Sequence, residues 1–167
     1  STDVDDGSTR VDRGLGEARA LNSDELLPAL LDAIDQITKY ARPKVLPRIV
    51  RVAHSELEAM VCPGKCGVLA SYRPGEGIYL DNRLSPETSL FDRSVVLHEL
   101  VHYLQDLHNE RSDMRPCQRW YFRELEAYAI QKQFLTLVGS PTRVAYSAAK
   151  STCDDENGPQ TEAVDRH

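Results

Sequence analysis

The sequence predicts a compact α+β domain. Three short strand-like segments lie together in the first half of the chain, and helical patterns come before and after them. The length of 167 residues is enough for one domain with its own hydrophobic core. We assign that domain to residues 21–139, between an N-terminal arm over residues 1–20 and a polar C-terminal tail over residues 140–167.

Composition excludes several classes of partner. The net charge is −6, with acidic and basic residues mixed along the chain and no basic stripe, which argues against nucleic acid and anionic membranes. No apolar run approaches the roughly 20 residues needed to cross a bilayer. The chain begins without a leader, so we expect any signal peptide to have been removed. We expect a monomer.

The N-terminal part of the chain predicts a flexible arm followed by a surface helix. Residues 1–20 are rich in Asp, Gly and Arg and carry too few large apolar residues to offset the entropy of ordering. Over residues 22–40, apolar side chains recur at helical spacing, with polar side chains between them. Because proline is tolerated only near a helix start, we expect the regular part of this helix to begin close to Pro28.

The middle of the chain predicts a small sheet. Residues 47–53 are strand-like, residues 55–61 form a short helix, and His54 between them is expected to be a loop or core residue. The segments 67–73 and 77–81 flank Pro74-Gly75-Glu76, which predicts a β-hairpin. An exposed edge of this hairpin could pair with an extended peptide, or the hairpin is simply part of the sheet.

Two long helices are predicted after the hairpin. Ser85-Pro86 is typical of a helix start, and a strongly apolar pattern continues from Phe91 to Leu107, which indicates a buried helix. A polar loop over residues 109–118 separates it from a second helix over residues 120–138.

Four cysteines predict two disulfides. We expect Cys62 to pair with Cys66 across a short turn, and Cys117 to pair with Cys153, which would anchor the tail. A zinc site is the alternative, but the spacing of these cysteines matches such sites poorly. Disulfides indicate an exported protein, periplasmic or extracellular.

The buried helix contains the motif His98-Glu99-x-x-His102. Histidines four residues apart point to the same side of a helix, so both imidazoles can bind one metal ion, and the motif is a known signature of zinc metalloproteases. Glu99 stands beside that metal as a candidate general base. The alternative is a buried polar cluster with a salt-bridged glutamate, but three polar residues on a buried helix cost several kcal/mol unless something satisfies them.

Three residues compete to be the third ligand of the metal. His108 gives a metzincin-like spacing, but Gln105 stands where that pattern has a helix-ending glycine, so the helix should carry His108 away. Glu124 and Glu126 lie on different sides of the following helix. Glu124 falls on its more apolar face, which favours it over Glu126 as the ligand, and the small Ala127 would let the two helices approach closely.

His98-Glu99-x-x-His102, followed by Glu124-x-x-Ala127, resembles the gluzincin branch of the zincin metallopeptidases, and most of all the minimal gluzincins. The resemblance covers residues 47–138. It implies a zincin-like fold with a small twisted β-sheet, an active-site helix and a glutamate-bearing helix. Thermolysin-like members carry an aspartate where this chain has Tyr128, so support for a zinc histidine must come from elsewhere, and Asp106 is one candidate.

These observations predict a zinc metalloendopeptidase that cleaves a peptide or protein substrate. Zn²⁺ would be held by His98, His102 and Glu124, with Glu99 as the general base. The alternatives are a non-catalytic binding protein on the same scaffold and a zinc hydrolase of a non-peptide bond. An oxyanion-stabilising group is also expected, and five tyrosines are chemically able to supply it. They are Tyr72, Tyr79, Tyr103, Tyr121 and Tyr128.

Overall fold

A small mixed sheet with helices packed around it forms the part of the chain that the computed structural model describes, residues 18–144, 153 and 163–165. The helices are α1 (Ser23–Ile37), α2 (His54–Val61), α3 (Leu90–Leu107) and α4 (Pro116–Leu137). The strands are β1 (Ile49–Val52), β2 (Val68–Arg73), β3 (Gly77–Asp81) and β4 (Ala163–Asp165). The predicted α+β class is confirmed. The predicted arm lies almost wholly outside the described residues.

The sheet has the strand order β1-β3-β2-β4. β1 runs parallel to β3, while β2 is antiparallel to both β3 and β4. The β2–β3 hairpin is therefore confirmed, and Gly75 takes a positive φ of 78° in its turn. A side chain at Gly77 would place its Cβ 2.6 Å from the carbonyl oxygen of Arg48, so glycine is needed where β1 meets β3.

The core lies between the sheet and the two long helices. α3 packs on β2 and β3, α4 packs along α3, and α1 covers α4. Fully buried side chains include Leu80 in β3, Leu97 and Leu100 in α3, and Phe134 in α4. The helix with the histidine motif is thus buried between sheet and helix, as its apolar pattern predicts.

The prediction that α1 begins close to Pro28 is wrong. The helix begins at Ser23, where the backbone N–H of Asn22 donates to the Glu25 carboxylate at 2.9 Å. Pro28 removes one hydrogen bond in the second turn, but this cap and the buried Leu26 and Leu30 hold the helix across it.

The starts of both long helices also differ from the prediction. α3 begins at Leu90 rather than at Ser85, because Ser89 is its cap and accepts a hydrogen bond from the Asp92 backbone at 3.2 Å. α4 begins at Pro116, inside the predicted loop. A proline in the first helical position loses no hydrogen bond, since that N–H has no partner within a helix.

Both predicted disulfides are confirmed, Cys62 with Cys66 and Cys117 with Cys153. The second bridge anchors the tail to the first turn of α4. The tail also supplies β4, which the sequence did not predict, because three residues within a polar segment carry no strand pattern of their own. Of the helices in the described ranges, none is both long enough and apolar enough to cross a membrane.

His54 is the first residue of α2, and its side chain contacts the end of β3. One ring nitrogen lies 2.7 Å from the carboxylate of Asp81, and the other lies 3.0 Å from the carbonyl oxygen of Cys66. Arg83 also donates to Asp81 at 2.6 Å. Burial raises the pKa of Asp81, but hydrogen bonds from Arg83 and His54 outweigh it and lower this pKa to about 2.

We therefore expect Asp81→Asn to reduce the free energy of unfolding at pH 7 by about 1–2 kcal/mol, after allowance for solvent screening. Because the folded pKa is depressed, this stabilisation is complete above about pH 4 and is lost as the pH falls towards 2. Urea unfolding at pH 7, 4 and 2.5 measures it, with the exposed Asp113→Asn as the control. If the free energies of unfolding of Asp81→Asn and wild type differ by the same amount at every pH, this assignment is contradicted.

Candidate metal centre

Three metal-ligating side chains meet where α3 packs against α4. They are His98 and His102 of α3 and Glu124 of α4, and one ligand atom from each lies within 4.8 Å of the others. The two histidine Nε2 atoms are 3.1 Å apart, and the Glu124 Oε1 lies 3.1 Å from His98 Nε2 and contacts His102 Nε2. All three residues are buried. Of the candidate third ligands, the structure thus brings Glu124 to the histidines.

Local structure explains this convergence. His98 and His102 are one turn apart on α3, so their side chains leave the helix in the same direction. Glu124 lies on the buried face of α4 with Ala127 one turn beyond it, and the small, fully buried Ala127 allows the two helices to lie close together.

Two glutamines orient the histidine rings. The Nδ1 atom of His98 lies 2.9 Å from Gln131 Oε1, and the Nδ1 atom of His102 lies 2.8 Å from Gln105 Oε1. Each amide is itself oriented, because the Gln131 N–H donates to Ser94 Oγ and the Gln105 N–H donates to Arg123 O. With amide oxygens facing them, both Nδ1 atoms must donate, so in the neutral rings each Nε2 turns its lone pair towards Glu124.

The charge states of this group suit a cation. Burial lowers the pKa of His98, which favours the neutral imidazole that binds metals. Burial by itself raises the pKa of Glu124, but positive charge and hydrogen bonds from His102 and His98 when these rings are protonated lower it to about 2, so the ionised carboxylate is favoured wherever positive charge lies beside it. Two nitrogen lone pairs and one carboxylate oxygen thus face a common point, and a divalent cation there would satisfy all three.

Glu99 lies at the boundary between the ligand helix and the sheet. Its Oε1 accepts a hydrogen bond of 2.8 Å from the backbone N–H of Tyr72 in β2, and the residue is fully buried. The Tyr128 ring packs edge-on against the His98 ring, with 4.4 Å between the ring centroids. Of the five candidate tyrosines, Tyr128 thus packs its ring against a ligand, while Tyr72 contributes its backbone N–H and its hydroxyl donates to Asp106.

The remaining candidate ligands face elsewhere. Glu126 accepts hydrogen bonds from the Tyr40 hydroxyl at 2.5 Å and from the Gln105 amide at 2.9 Å. His108 caps the end of α3, with its ring beside that of Tyr40. Both line a cavity of about 730 Å³ between α1 and α4, separate from the three ligands.

The prediction that Asp106 supports His102 is wrong. Asp106 accepts a hydrogen bond of 3.0 Å from the Tyr72 hydroxyl, and Gln105 is the residue that meets His102. From the sequence, Gln105 stands out only as the residue that replaces the helix-ending glycine of the metzincin pattern. Gln131 was also missed as a supporting residue, although a signal existed: it lies seven residues, or two turns, after Glu124 on the same face, among apolar neighbours.

We expect Gln131→Leu to weaken zinc binding by about 10- to 100-fold, because the His98 ring would lose the acceptor that orients it. Gln131→Glu retains an acceptor and should bind zinc more tightly than Gln131→Leu. The exposed Gln133→Leu, two residues away on α4, is the matched control. Competition against a chromophoric chelator measures the affinities, and equal values for the leucine variants at 131 and 133 would contradict the role of Gln131.

Comparison of the chain with protein-family models, with curated proteins and with solved structures finds no match. The chemistry of the site is therefore inferred from its own residues.

Proposed function

We propose that the protein is a zinc metalloendopeptidase, with His98, His102 and Glu124 as metal ligands and Glu99 as the general base. One observation carries the proposal. A buried group of two imidazoles and one carboxylate, with its lone pairs facing a common point, lies one residue from a second buried carboxylate on the same helix.

The donor set favours zinc and a catalytic role for it. Two histidine nitrogens and one carboxylate oxygen are typical of catalytic zinc sites, which take three protein ligands, whereas structural sites take four. A zinc ion in this position would supply a Lewis acid and lower the pKa of water at the fourth position. The hydrogen bonds that the two imidazoles donate to the Gln105 and Gln131 side chains would hold the rings ready for it.

Glu99 is suited to move a proton. The hydrogen bond from the Tyr72 N–H fixes the orientation of its carboxylate. Glu99 directly follows His98, which is the position of the general base in the His-Glu-x-x-His motif. In the proposed reaction Glu99 accepts the proton of the attacking water and returns it to the amide nitrogen that leaves. A purely structural metal site would have no use for a base at this position.

A peptide substrate fits the surroundings of the site. The base contacts the backbone of a strand, and extended peptides bind proteins by pairing with strand edges. The two disulfides indicate an oxidising, exported environment. Secreted or surface polypeptides would be the substrates available there.

Metal analysis tests this function. We expect about one zinc ion per chain after purification, since the described part of the chain contains one His₂Glu group. Removing zinc with 1,10-phenanthroline should abolish cleavage of casein or a peptide library, and adding zinc back should restore it. Folded protein that binds no metal would overturn the proposal and favour a binding protein. Zinc-dependent hydrolysis confined to non-peptide esters would overturn the peptidase assignment alone.

A further inference from the structure

The C-terminal strand β4 lies beside the strand that contacts the proposed base. β4 pairs antiparallel with β2, with Val164 opposite Ala70 and Ala163 opposite Ser71. The next residue of β2 after Ser71 is Tyr72, whose N–H donates to Glu99. The tail therefore reaches to within one residue of the backbone group that orients the base, and β4 also contacts α3.

The site is closed in this arrangement. His98, Glu99 and His102 have no exposed surface, and Glu124 is 2% exposed. A macromolecular substrate must reach these residues for hydrolysis to occur, so some part of the surroundings has to move first. β4 is a candidate because it is a short strand at the edge of the sheet.

The edge of β2 can hold only one partner at a time. β3 pairs with one side of β2, and β4 pairs with the other. An extended peptide that binds by adding a strand needs the same backbone N–H and C=O groups that β4 uses. The tail and such a peptide must therefore compete for this edge.

The pairing of β4 combines a strong tether with a weak contact. Cys153 is bonded to Cys117 on α4 and precedes Ala163 by ten residues, so the strand is held close to its partner at a high effective concentration. The strand has only three residues, and its register is interrupted by a bulge between Val68 and Ala70. A longer peptide could thus displace it.

We propose that β4 is an intramolecular competitor, which occupies the edge of β2 where an extended peptide substrate pairs and thereby limits access to the metal site. This inference rests on the proposed peptidase function. It assigns to the C-terminal tail a regulatory role, and it assigns to the substrate an extended backbone along β2.

A binding experiment tests the competition without catalysis. All chains carry Glu99→Gln, and the probe is a fluorescently labelled synthetic peptide of residues 159–167. Val164→Pro removes a backbone N–H from β4, whereas the matched Val164→Thr retains it. We expect the proline variant to bind the probe about tenfold more tightly than the threonine variant, since the competing strand loses a backbone hydrogen-bond donor.

Asp165→Pro, at the C-terminal end of β4, should give the same result and replaces Val164→Pro if that variant folds poorly. Equal affinities for the proline and threonine variants, or no binding by either, would overturn the inference.

A second measurement separates this inference from the proposed function. With Glu99 intact, Val164→Pro should cleave peptides faster than Val164→Thr by a similar factor. If Val164→Pro binds the probe more tightly but no chain cleaves any peptide, the competition stands and the peptidase proposal fails. If zinc-dependent cleavage is found at equal rates in both variants and the probe binds both equally, the peptidase stands and the competition fails.

Discussion

Replacing Glu99 by glutamine is expected to lower peptide hydrolysis by about 10²- to 10⁴-fold while zinc content stays at the wild-type level. Glutamine has nearly the same shape and can still accept the Tyr72 N–H, but it cannot take a proton from water at neutral pH. The three ligands are untouched, so the metal should remain. Initial rates on a peptide library, measured with zinc content on the same samples, check both halves of the expectation.

The matched control is Glu56→Gln, the same substitution at an exposed position of α2, which should leave the rate within about twofold of wild type. Because the tail is proposed to limit access, the comparison is made in the wild-type chain and again with Val164→Pro. Hydrolysis by Glu99→Gln at the wild-type rate in both backgrounds would show that Glu99 is not the base.

Glu124→Ala is expected to weaken zinc binding by more than about 100-fold, beyond the loss caused by removing an outer hydrogen-bond partner. The side chain lies within contact of both histidine Nε2 atoms, so its removal leaves two ligands where catalytic zinc takes three. Peptide hydrolysis at low zinc concentration should fall together with zinc affinity. Chelator competition and metal analysis measure the effect, with circular dichroism to verify folding.

Glu126→Ala is the internal control for this experiment. Glu126 is two residues away on α4, but it contacts Gln105 and Tyr40 instead of the histidines. Its replacement acts on zinc only through Gln105, so we expect a loss of zinc affinity of at most about tenfold, the lower end of such effects. Loss of zinc from Glu126→Ala with retention by Glu124→Ala would exchange the roles of the two glutamates.

Local sequence patterns predicted much of the fold because each reflects contacts between near neighbours. The turn residues between β2 and β3 predicted the hairpin, and the short spacing of Cys62 and Cys66 predicted their disulfide. Helix starts were predicted less well. The structure has α3 starting after its cap Ser89 and α4 starting at Pro116. Sequence alone did not select these positions, because several nearby residues can start a helix and packing selects among them.

For the candidate site too, local patterns predicted some features and tertiary packing determined the others. Helical periodicity by itself determined that His98 and His102 share one side of α3, since the spacing of i and i+4 residues is a local property of a helix. It also favoured the buried side of α4 for the third ligand. Only the packing of α4 on α3 brought Glu124 to the histidines, and it did so together with Gln131 from the same face.

The surroundings of the site were decided by tertiary structure alone. Gln105 meets His102 because Arg123 and Glu126 of α4 orient its amide, and Glu99 is held by the backbone of β2. The tail forms β4 because the edge of β2 supplies its hydrogen bonds. His102 and Gln105 are near neighbours on α3, but the contacts that α4, β2 and the tail make here join distant parts of the chain, so each depends on which surfaces long-range packing brings together.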